Sequence, residues 1–131
     1  MQSVLAWASK GCDSAGDDHS PGYVCTPEWL ASVPEIEFIA RYTRPDGVVL
    51  DKPKPGGDWA GCYSISKLEL EWIMNAGKAY VPLQFGNSGH DVLNADLGYR
   101  RGEAYIKAVL ALGLPLGVHL FLNIEGASCV N

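Results

Sequence analysis

The feature that most constrains this chain is the alternation of short apolar segments of strand character with segments of helical character. The strand-like segments span residues 8–13, 36–42, 78–85 and 117–124, and the helix-like segments span residues 27–33, 66–77 and 94–112. Strands that alternate with helices are joined by right-handed crossovers, and their sheet is therefore parallel. The pattern predicts an α/β fold, either a barrel or a doubly wound sheet.

The helix that follows the second strand has the clearest start signal in the chain. Ser66 and Glu69 have the spacing of a capping box, and Ile65 and Leu70 occupy the two positions of a hydrophobic staple. Gly77 is a suitable residue just after the last helical turn. These signals predict a helix that begins at Ser66.

Two observations favour the barrel over the doubly wound sheet. The segment GCDS after the first strand lacks the glycine-rich turn by which doubly wound sheets bind dinucleotide phosphates. Polar residues instead follow the strands, where (β/α)8 barrels place their chemistry. These residues are Asp13, Arg41, Gln84, Asn123 and Glu125. We therefore expect the N-terminal half of a TIM-type (β/α)8 barrel, from its first strand to its fourth.

Residues 1–131 are interpreted as a single domain that is truncated after the fourth strand. A half barrel has two open sheet edges and an uncovered core. Three arrangements would complete it: the remainder of a longer polypeptide, a second copy of the chain, or another subunit. We favour the first of these.

Composition excludes several classes of function. The net charge is −5, and the ten lysines and arginines are scattered, whereas nucleic-acid binding needs clustered basic residues. No apolar run approaches the roughly 18 residues of a membrane span. The segment from Met1 to Lys10 has no basic region followed by a long apolar stretch, so no signal peptide is visible.

The four cysteines, Cys12, Cys25, Cys62 and Cys129, are far apart and form no Cys-x-x-Cys pair. Because zinc-site spacing is absent, we expect no metal site. Buried or unpaired thiols are the favoured interpretation, and a disulfide between Cys12 and Cys25 is the alternative.

Asn123 and Glu125 form the core of the candidate catalytic site. They are two residues apart on one strand, so their side chains are expected on the same face. At the mouth of a barrel that face is the interior, and Asp13 is expected to project into the same mouth. Facing carboxyl groups are how glycosidases separate acid and base roles. The alternative is that these residues cap helices or anchor loops.

Four further residues are candidates for substrate binding: Arg41, Tyr42, Gln84 and Trp59. The first three fall at strand ends that face the expected cleft. The Arg41 guanidinium there would bind a carboxylate or hold Asp13 ionised, and a salt bridge inside the barrel is the alternative. Trp59 lies in a long loop rich in glycine and proline and is placed to stack on a sugar ring.

Longer stretches of the sequence resemble a known family. In order along the chain these are GCD, FIARY, SISKLELEWIMNAGKAYVPLQF and GYRRGEAYIKAVLALGLPLGVHLFLNIEG. Together they resemble the glycoside-hydrolase-like domain of unknown function found in actinobacterial secreted proteins and phage lysins. That domain is similar to the lysozyme-type muramidases of glycoside hydrolase family 25. The resemblance covers residues 10–126.

The resemblance implies roles for three residues. Asp13 matches the acidic residue that closes the family's first strand. Glu125 matches the second acidic residue of the Asp-x-Glu motif that closes the fourth strand, and in the muramidases this residue is the proton donor. Asn123 stands where those enzymes have aspartate, which is thought to assist the substrate's own N-acetyl group. A neutral amide can only form hydrogen bonds there.

The resemblance also implies a function and a setting. We expect a cell-wall glycan hydrolase domain that acts on peptidoglycan, or a degenerate descendant of one, without a cofactor. The alternative is a non-catalytic module that binds the wall or forms part of a phage virion. The expected location is extracellular, at the cell wall, or in a virion.

Overall fold

The structure is a computed structural model that describes residues 11–13, 24–54, 64–88, 94–115 and 117–125. For the strand residues 11–13, 85–88 and 123–125 it describes the backbone alone. The strands are β1 (Gly11–Asp13), β2 (Phe38–Thr43), β3 (Ala79–Ser88) and β4 (Phe121–Glu125). The helices are α1 (Pro27–Ser32), α2 (Lys67–Asn75) and α3 (Ala95–Ala111). The predicted alternation is therefore confirmed over these residues.

The four strands form one parallel sheet in the order β1-β2-β3-β4. Ala40 of β2 pairs with Asp13 of β1, and Thr43 pairs with Gln84 of β3. The pairing of β3 with β4 is irregular between Gln84 and Asn87, and it resumes so that Ser88 lies opposite Glu125. Since the strands are parallel, all four carboxyl ends lie along one edge of the sheet, which we call the carboxyl edge.

All three described helices pack on the same face of the sheet. One core cluster contains Leu30 of α1, Ile73 of α2, and Leu112 at the C-terminal cap of α3, around Ile39 of β2. Cys25 is also completely buried in this cluster. The side chain of Cys12 lies outside the described residues, so the alternative of a disulfide between the two is untested. The described sheet is thus covered by helices on one side.

Helix α2 begins as its sequence predicts, but one half of the expected capping box is wrong. Ser66 is the N-cap, and its hydroxyl accepts a hydrogen bond from the backbone N–H of Glu69 at 3.2 Å. The Glu69 carboxylate does not return the bond; it accepts from the backbone N–H of Cys25 at 2.9 Å. Gly77 follows the C-cap residue Ala76 and has the positive φ of +72° expected of a glycine in that position.

The segment of residues 117–124 is strongly apolar, which predicts a strand covered on both faces. The described side chains of β4 differ from this prediction. The side chains of Phe121 and Leu122 are 50% and 58% exposed. Ile106 and Leu110, one helical turn apart on α3, are exposed to a similar degree. These four side chains, with Leu120, form an apolar surface that we call the β4 surface. The described residues leave this surface exposed.

The loop that follows β2 packs its backbone directly on α3. Gly47 has a φ of +73°, and a Cβ atom built on it would lie 2.5 Å from the Ala104 carbonyl oxygen. Both the backbone conformation and the close approach therefore require glycine at this position. The contact fixes the loop against the helix at the carboxyl edge.

Within the described residues, no helix is long and apolar enough to cross a membrane.

Substitution of Gly47 by alanine should destabilise the fold. The left-handed backbone alone costs about 1–3 kcal/mol for a residue with a Cβ, and the overlap with Ala104 adds to it. The matched control is Gly98→Ala in α3, where no atom outside the adjoining backbone of the helix lies within 4 Å of the added methyl group. That variant should be more stable by about 0.5–1 kcal/mol, because alanine favours a helix. Urea unfolding of both variants measures the difference, and equal midpoints would contradict the role of Gly47.

Candidate functional site

The carboxyl edge collects the ends of the strands that carry the predicted catalytic residues. Asp13 is the last residue of β1, and Glu125 is the last residue of β4. Asn123 lies two residues before Glu125 in the same strand. The backbones of all three residues are therefore at or next to one edge, although their side chains lie outside the described residues.

Asp13 and Glu125 stand on the two outer strands of the described sheet, with β2 and β3 between them. Three strand spacings amount to about 14 Å in a flat sheet. The paired carboxyl groups of glycosidases are about 5–9.5 Å apart. The flat-sheet separation of the two strands is therefore larger than the separation in a glycosidase pair, and the reach of two acidic side chains would shorten it.

Tyr105 of α3 holds the β3–β4 pair in place. Its hydroxyl donates a hydrogen bond to the carbonyl oxygen of Pro82 at 2.6 Å and accepts one from the backbone N–H of Phe121 at 3.2 Å. Burial raises the pKa of Tyr105 to about 12, so the hydroxyl stays protonated at neutral pH. Since β4 carries Asn123 and Glu125, Tyr105 is a positioning residue for the candidate site.

Arg41 and Glu69 form a completely buried ion pair beneath the helices. Arg41 Nε lies 3.0 Å from Glu69 Oε1, and Arg41 Nη2 donates to Oε2 at 3.3 Å. Both side chains have 0% exposure. The Arg41 carbonyl oxygen also accepts a hydrogen bond from the hydroxyl of Tyr80 at 3.3 Å. Burial raises the pKa of that Tyr80 hydroxyl, which therefore stays a donor.

This pair corrects the predicted orientation of Arg41. The sequence places its guanidinium in the cleft, whereas the structure points it at α2, on the face that also buries Ile39 and Thr43. A charge that is fully buried and paired with Glu69 does not contact a substrate at the mouth of the sheet. Its interaction is a salt bridge, as the alternative interpretation holds, but on the helix side of the sheet.

Gln84 also lies on the helix side. Its side-chain Nε2 donates to the carbonyl oxygen of Arg101 in α3 at 2.6 Å, and the residue is 4% exposed. The predicted contact with a ligand in the cleft is corrected in the same way as that of Arg41. Gln84 instead fixes the position of α3 relative to β3.

Tyr42 lies on the face of the sheet opposite the helices, which we call the open face because no described helix covers it. It lies between Arg41 and Thr43, whose side chains face the helices, so alternation along the strand turns Tyr42 to the other face. Its side chain is partly exposed, and its carbonyl oxygen accepts from the backbone N–H of Ile65 at 2.8 Å. Trp59 lies outside the described residues, so its predicted ligand contact is untested.

Sequence reasoning missed Glu69 as the partner of Arg41. The capping-box pattern assigns its carboxylate to the start of the helix, which satisfies the residue locally. A second signal was present, because Glu69 and Ile73 are four residues apart and share the apolar face of α2. A carboxylate on a buried helical face, facing an arginine in a buried strand, indicates an ion pair.

The described residues contain no group of three or more His, Cys, Asp or Glu side chains arranged to hold a metal ion.

A groove of about 550 Å³ lies between α1 and α2, near the amino end of β3, and its lining includes Pro27, Trp72 and Lys78. The Lys78 ammonium group donates to the carbonyl oxygens of Val33 and Ile36 at 2.8 and 2.7 Å, so it is occupied in closing the end of α1.

Comparison of the chain with protein-family models gave no match, and comparison with curated proteins and with solved structures gave none either.

Removing one partner of the buried pair should strongly destabilise the protein. Glu69→Gln keeps the shape of the side chain but leaves the Arg41 charge without its counterion, and breaking such a pair costs about 3–5 kcal/mol. The matched control is Asp51→Asn, which breaks the exposed Lys67–Asp51 pair at 2.9 Å. Exposed pairs contribute about 0–1 kcal/mol.

Urea unfolding of the two variants and the natural chain checks this expectation. A loss of stability in Glu69→Gln no larger than that in Asp51→Asn would contradict the structural role of the buried pair.

Proposed function

We propose that this chain is the N-terminal half of a (β/α)8 barrel of the cell-wall glycan hydrolase type, and that it acts on peptidoglycan. The observation that carries the proposal is the parallel order β1-β2-β3-β4 with the described helices on one face. This arrangement brings the ends of the Asp13 and Glu125 strands to one edge, where barrel enzymes hold their catalytic groups. The other class of sheet considered, the doubly wound one, carries helices on both faces.

In this proposal Glu125 is the general acid. It gives its proton to the glycosidic oxygen as the bond to the anomeric carbon breaks. Water then adds to that carbon and gives up a proton, which restores the Glu125 acid. Asp13 stabilises or positions the charge that develops on the sugar ring. Asn123 donates a hydrogen bond to the substrate but cannot act as a carboxylate. Tyr42, on the open face next to the carboxyl edge, contacts the glycan.

The β4 surface supports the half-barrel interpretation. Leu122 on the strand and Leu110 on α3 are both 58% exposed, so the apolar surface spans the sheet layer and the helix layer together. A further strand and helix packed beside β4 would cover both layers at once. We propose that the remainder of the polypeptide supplies this strand and this helix. We also propose that the domain works outside the cell, at the wall, or in a phage virion.

The alternative is a non-catalytic module with the same fold, which binds the wall or forms part of a virion. Asn123 favours it, because the position has no ionisable group. Binding of a glycan needs hydrogen bonds and an aromatic surface but no proton donor. The two functions therefore differ in what happens when Glu125 and Asn123 are changed.

Hydrolysis should depend on Glu125. In the full polypeptide that carries this domain, Glu125→Gln should reduce release of reducing sugar ends from purified peptidoglycan by about 100-fold or more, the loss typical of a general acid. Pelleting with insoluble peptidoglycan should show unchanged binding. If the amide limits the rate, Asn123→Asp should increase it.

The outcomes separate the two functions. No turnover by the natural protein, and none created by Asn123→Asp, would contradict the enzyme and leave the binding module.

The chain of residues 1–131 on its own should self-associate through the β4 surface. Sedimentation velocity should show oligomers or aggregates, because unpaired strand edges and exposed apolar side chains associate. Leu110→Glu with Leu122→Lys should reduce the association. Met74→Lys is the control, since Met74 is 59% exposed on α2, outside that surface. A natural chain that is monomeric and melts cooperatively would contradict the half barrel.

A further inference from the structure

The pairing of β3 with β4 contains one extra residue on β3, close to the carboxyl edge. Gln84 lies opposite Leu122. The next pair along the two strands is Asn87 with Ile124. Two residues of β3 therefore stand against a single residue of β4, Asn123, which is the arrangement of a β-bulge. Bulges are frequent next to active sites, where they change the face to which a strand residue belongs.

Contacts from α3 fix the register of the two strands before the bulge. The Tyr105 hydroxyl donates to the carbonyl oxygen of Pro82 at 2.6 Å and accepts from the backbone N–H of Phe121 at 3.2 Å. The Gln84 side chain donates to the carbonyl oxygen of Arg101 at 2.6 Å. The two strands are therefore held in one alignment up to the bulge, and the pairs beyond it follow from that alignment.

The bulge decides which residue of β3 shares a face with Glu125. Residues paired across neighbouring strands share a face, and Leu83 is paired with both Tyr42 and Phe121, so these positions belong to the open face. Uninterrupted alternation from Leu83 would assign Ser88 to the helix side. The extra residue reverses this assignment, and Ser88 is paired with Glu125. Glu125 belongs to the open face, because alternation in β4 relates it to Phe121.

We propose that Ser88 is a positioning residue for Glu125, the proposed general acid. Neighbouring strands lie about 4.8 Å apart, which is within the reach of a hydroxyl and a carboxyl group on paired residues. The Ser88 hydroxyl donates a hydrogen bond to one oxygen of the Glu125 carboxyl group. The proton of the acid is thereby kept on the other oxygen, which is the one that serves the glycosidic oxygen. The inference rests on the proposed function, because it concerns the same proton donor.

This hydrogen bond also favours the transfer of the proton. Before the transfer, Ser88 donates to a neutral acid. As the proton moves to the glycosidic oxygen, the acceptor becomes a carboxylate, and a hydrogen bond to an ionised group is about twice as strong. The interaction is therefore stronger in the transition state than in the ground state, and such interactions raise kcat. The proton that water gives up restores the acid, so Ser88 is unchanged by the cycle.

The first test measures hydrolysis of a soluble peptidoglycan fragment by the full polypeptide that carries this domain. Ser88→Ala should lower kcat about tenfold and leave KM nearly unchanged, because one hydrogen bond to a developing charge is lost. Ser88→Thr keeps the hydroxyl on a residue type that favours strands, and it should retain most of the rate. The control is Asn87→Ala, which changes the preceding residue, paired with Ile124 on the helix side, and should retain the rate.

The second test needs no turnover. The pKa of the Glu125 carboxyl group is measured by NMR in the polypeptide with isotope-labelled glutamate, and its signal is assigned from its loss in Glu125→Gln. A hydrogen bond to the ionised form lowers the pKa of a carboxyl group, so Ser88→Ala should raise the pKa of Glu125 by about one unit. Ser88→Thr and Asn87→Ala should leave this pKa unchanged. Urea unfolding verifies that each variant is folded.

The outcomes separate this inference from the proposed function. If the natural protein shows no turnover but Ser88→Ala raises the Glu125 pKa and Ser88→Thr does not, the pairing stands and the hydrolase fails. If the protein is active and Ser88→Ala behaves like Asn87→Ala in both tests, the role of Ser88 is overturned and the hydrolase stands. An unchanged pKa in Ser88→Ala, an unchanged kcat in an active protein, or a loss that Ser88→Thr shares overturns the role of Ser88.

Discussion

The buried ion pair between Arg41 and Glu69 joins three parts of the chain: β2, α2, and the segment before α1 through the Cys25 backbone N–H. A carboxylate and a guanidinium removed from water are tolerated only when their hydrogen-bonding groups are satisfied. Here the Glu69 oxygens receive bonds from both the Arg41 side chain and the Cys25 backbone. The geometry of the helix layer relative to the sheet depends on this arrangement.

The pair also shows that the two faces of the sheet differ in role, because the Arg41 side chain points to the helix side. On the helix side, Arg41, Gln84 and Tyr105 use their polar groups to hold helices and strands together. None of these groups is left for a ligand in a cleft on the opposite side. The candidate chemistry is therefore confined to the carboxyl edge and the open face, where Asp13, Tyr42 and the end of β4 are found. Arg41 and Gln84, which the sequence assigns to ligand binding, therefore have structural roles.

Local signals in the sequence predicted much of the fold. The capping serine of α2, the glycine after its C-cap, and the alternation of strands with helices follow from short-range rules that the structure obeys. The rules failed for Glu69, because they consider only partners near in sequence. Glu69 fits a capping box locally, yet its carboxylate binds the distant Arg41 guanidinium and the Cys25 backbone N–H. Strand β4 has the apolar pattern of a covered strand, but which neighbour covers it cannot be read from the strand itself.

The candidate site is predicted less completely than the fold for a related reason. Alternation along a strand relates its side chains to one another, but only a long-range contact says which of the two faces meets the helices. Arg41 and Gln84 were thereby assigned to the wrong side. For Asp13, Asn123 and Glu125 the sequence supplies the residue type and the structure supplies the backbone position. Their catalytic role rests on the resemblance to muramidases and stays a proposal.

Backbone amide shifts measured by NMR during titration with a soluble peptidoglycan fragment test the central claim most directly. The claim is that the glycan binds at the carboxyl edge of the sheet. We predict shifts at the strand ends, in Thr43, Ser88 and Glu125, with little change at Asn75 and Ala76 beside the groove between α1 and α2. Shifts confined to that groove, or no shifts at the strand ends, would contradict the account.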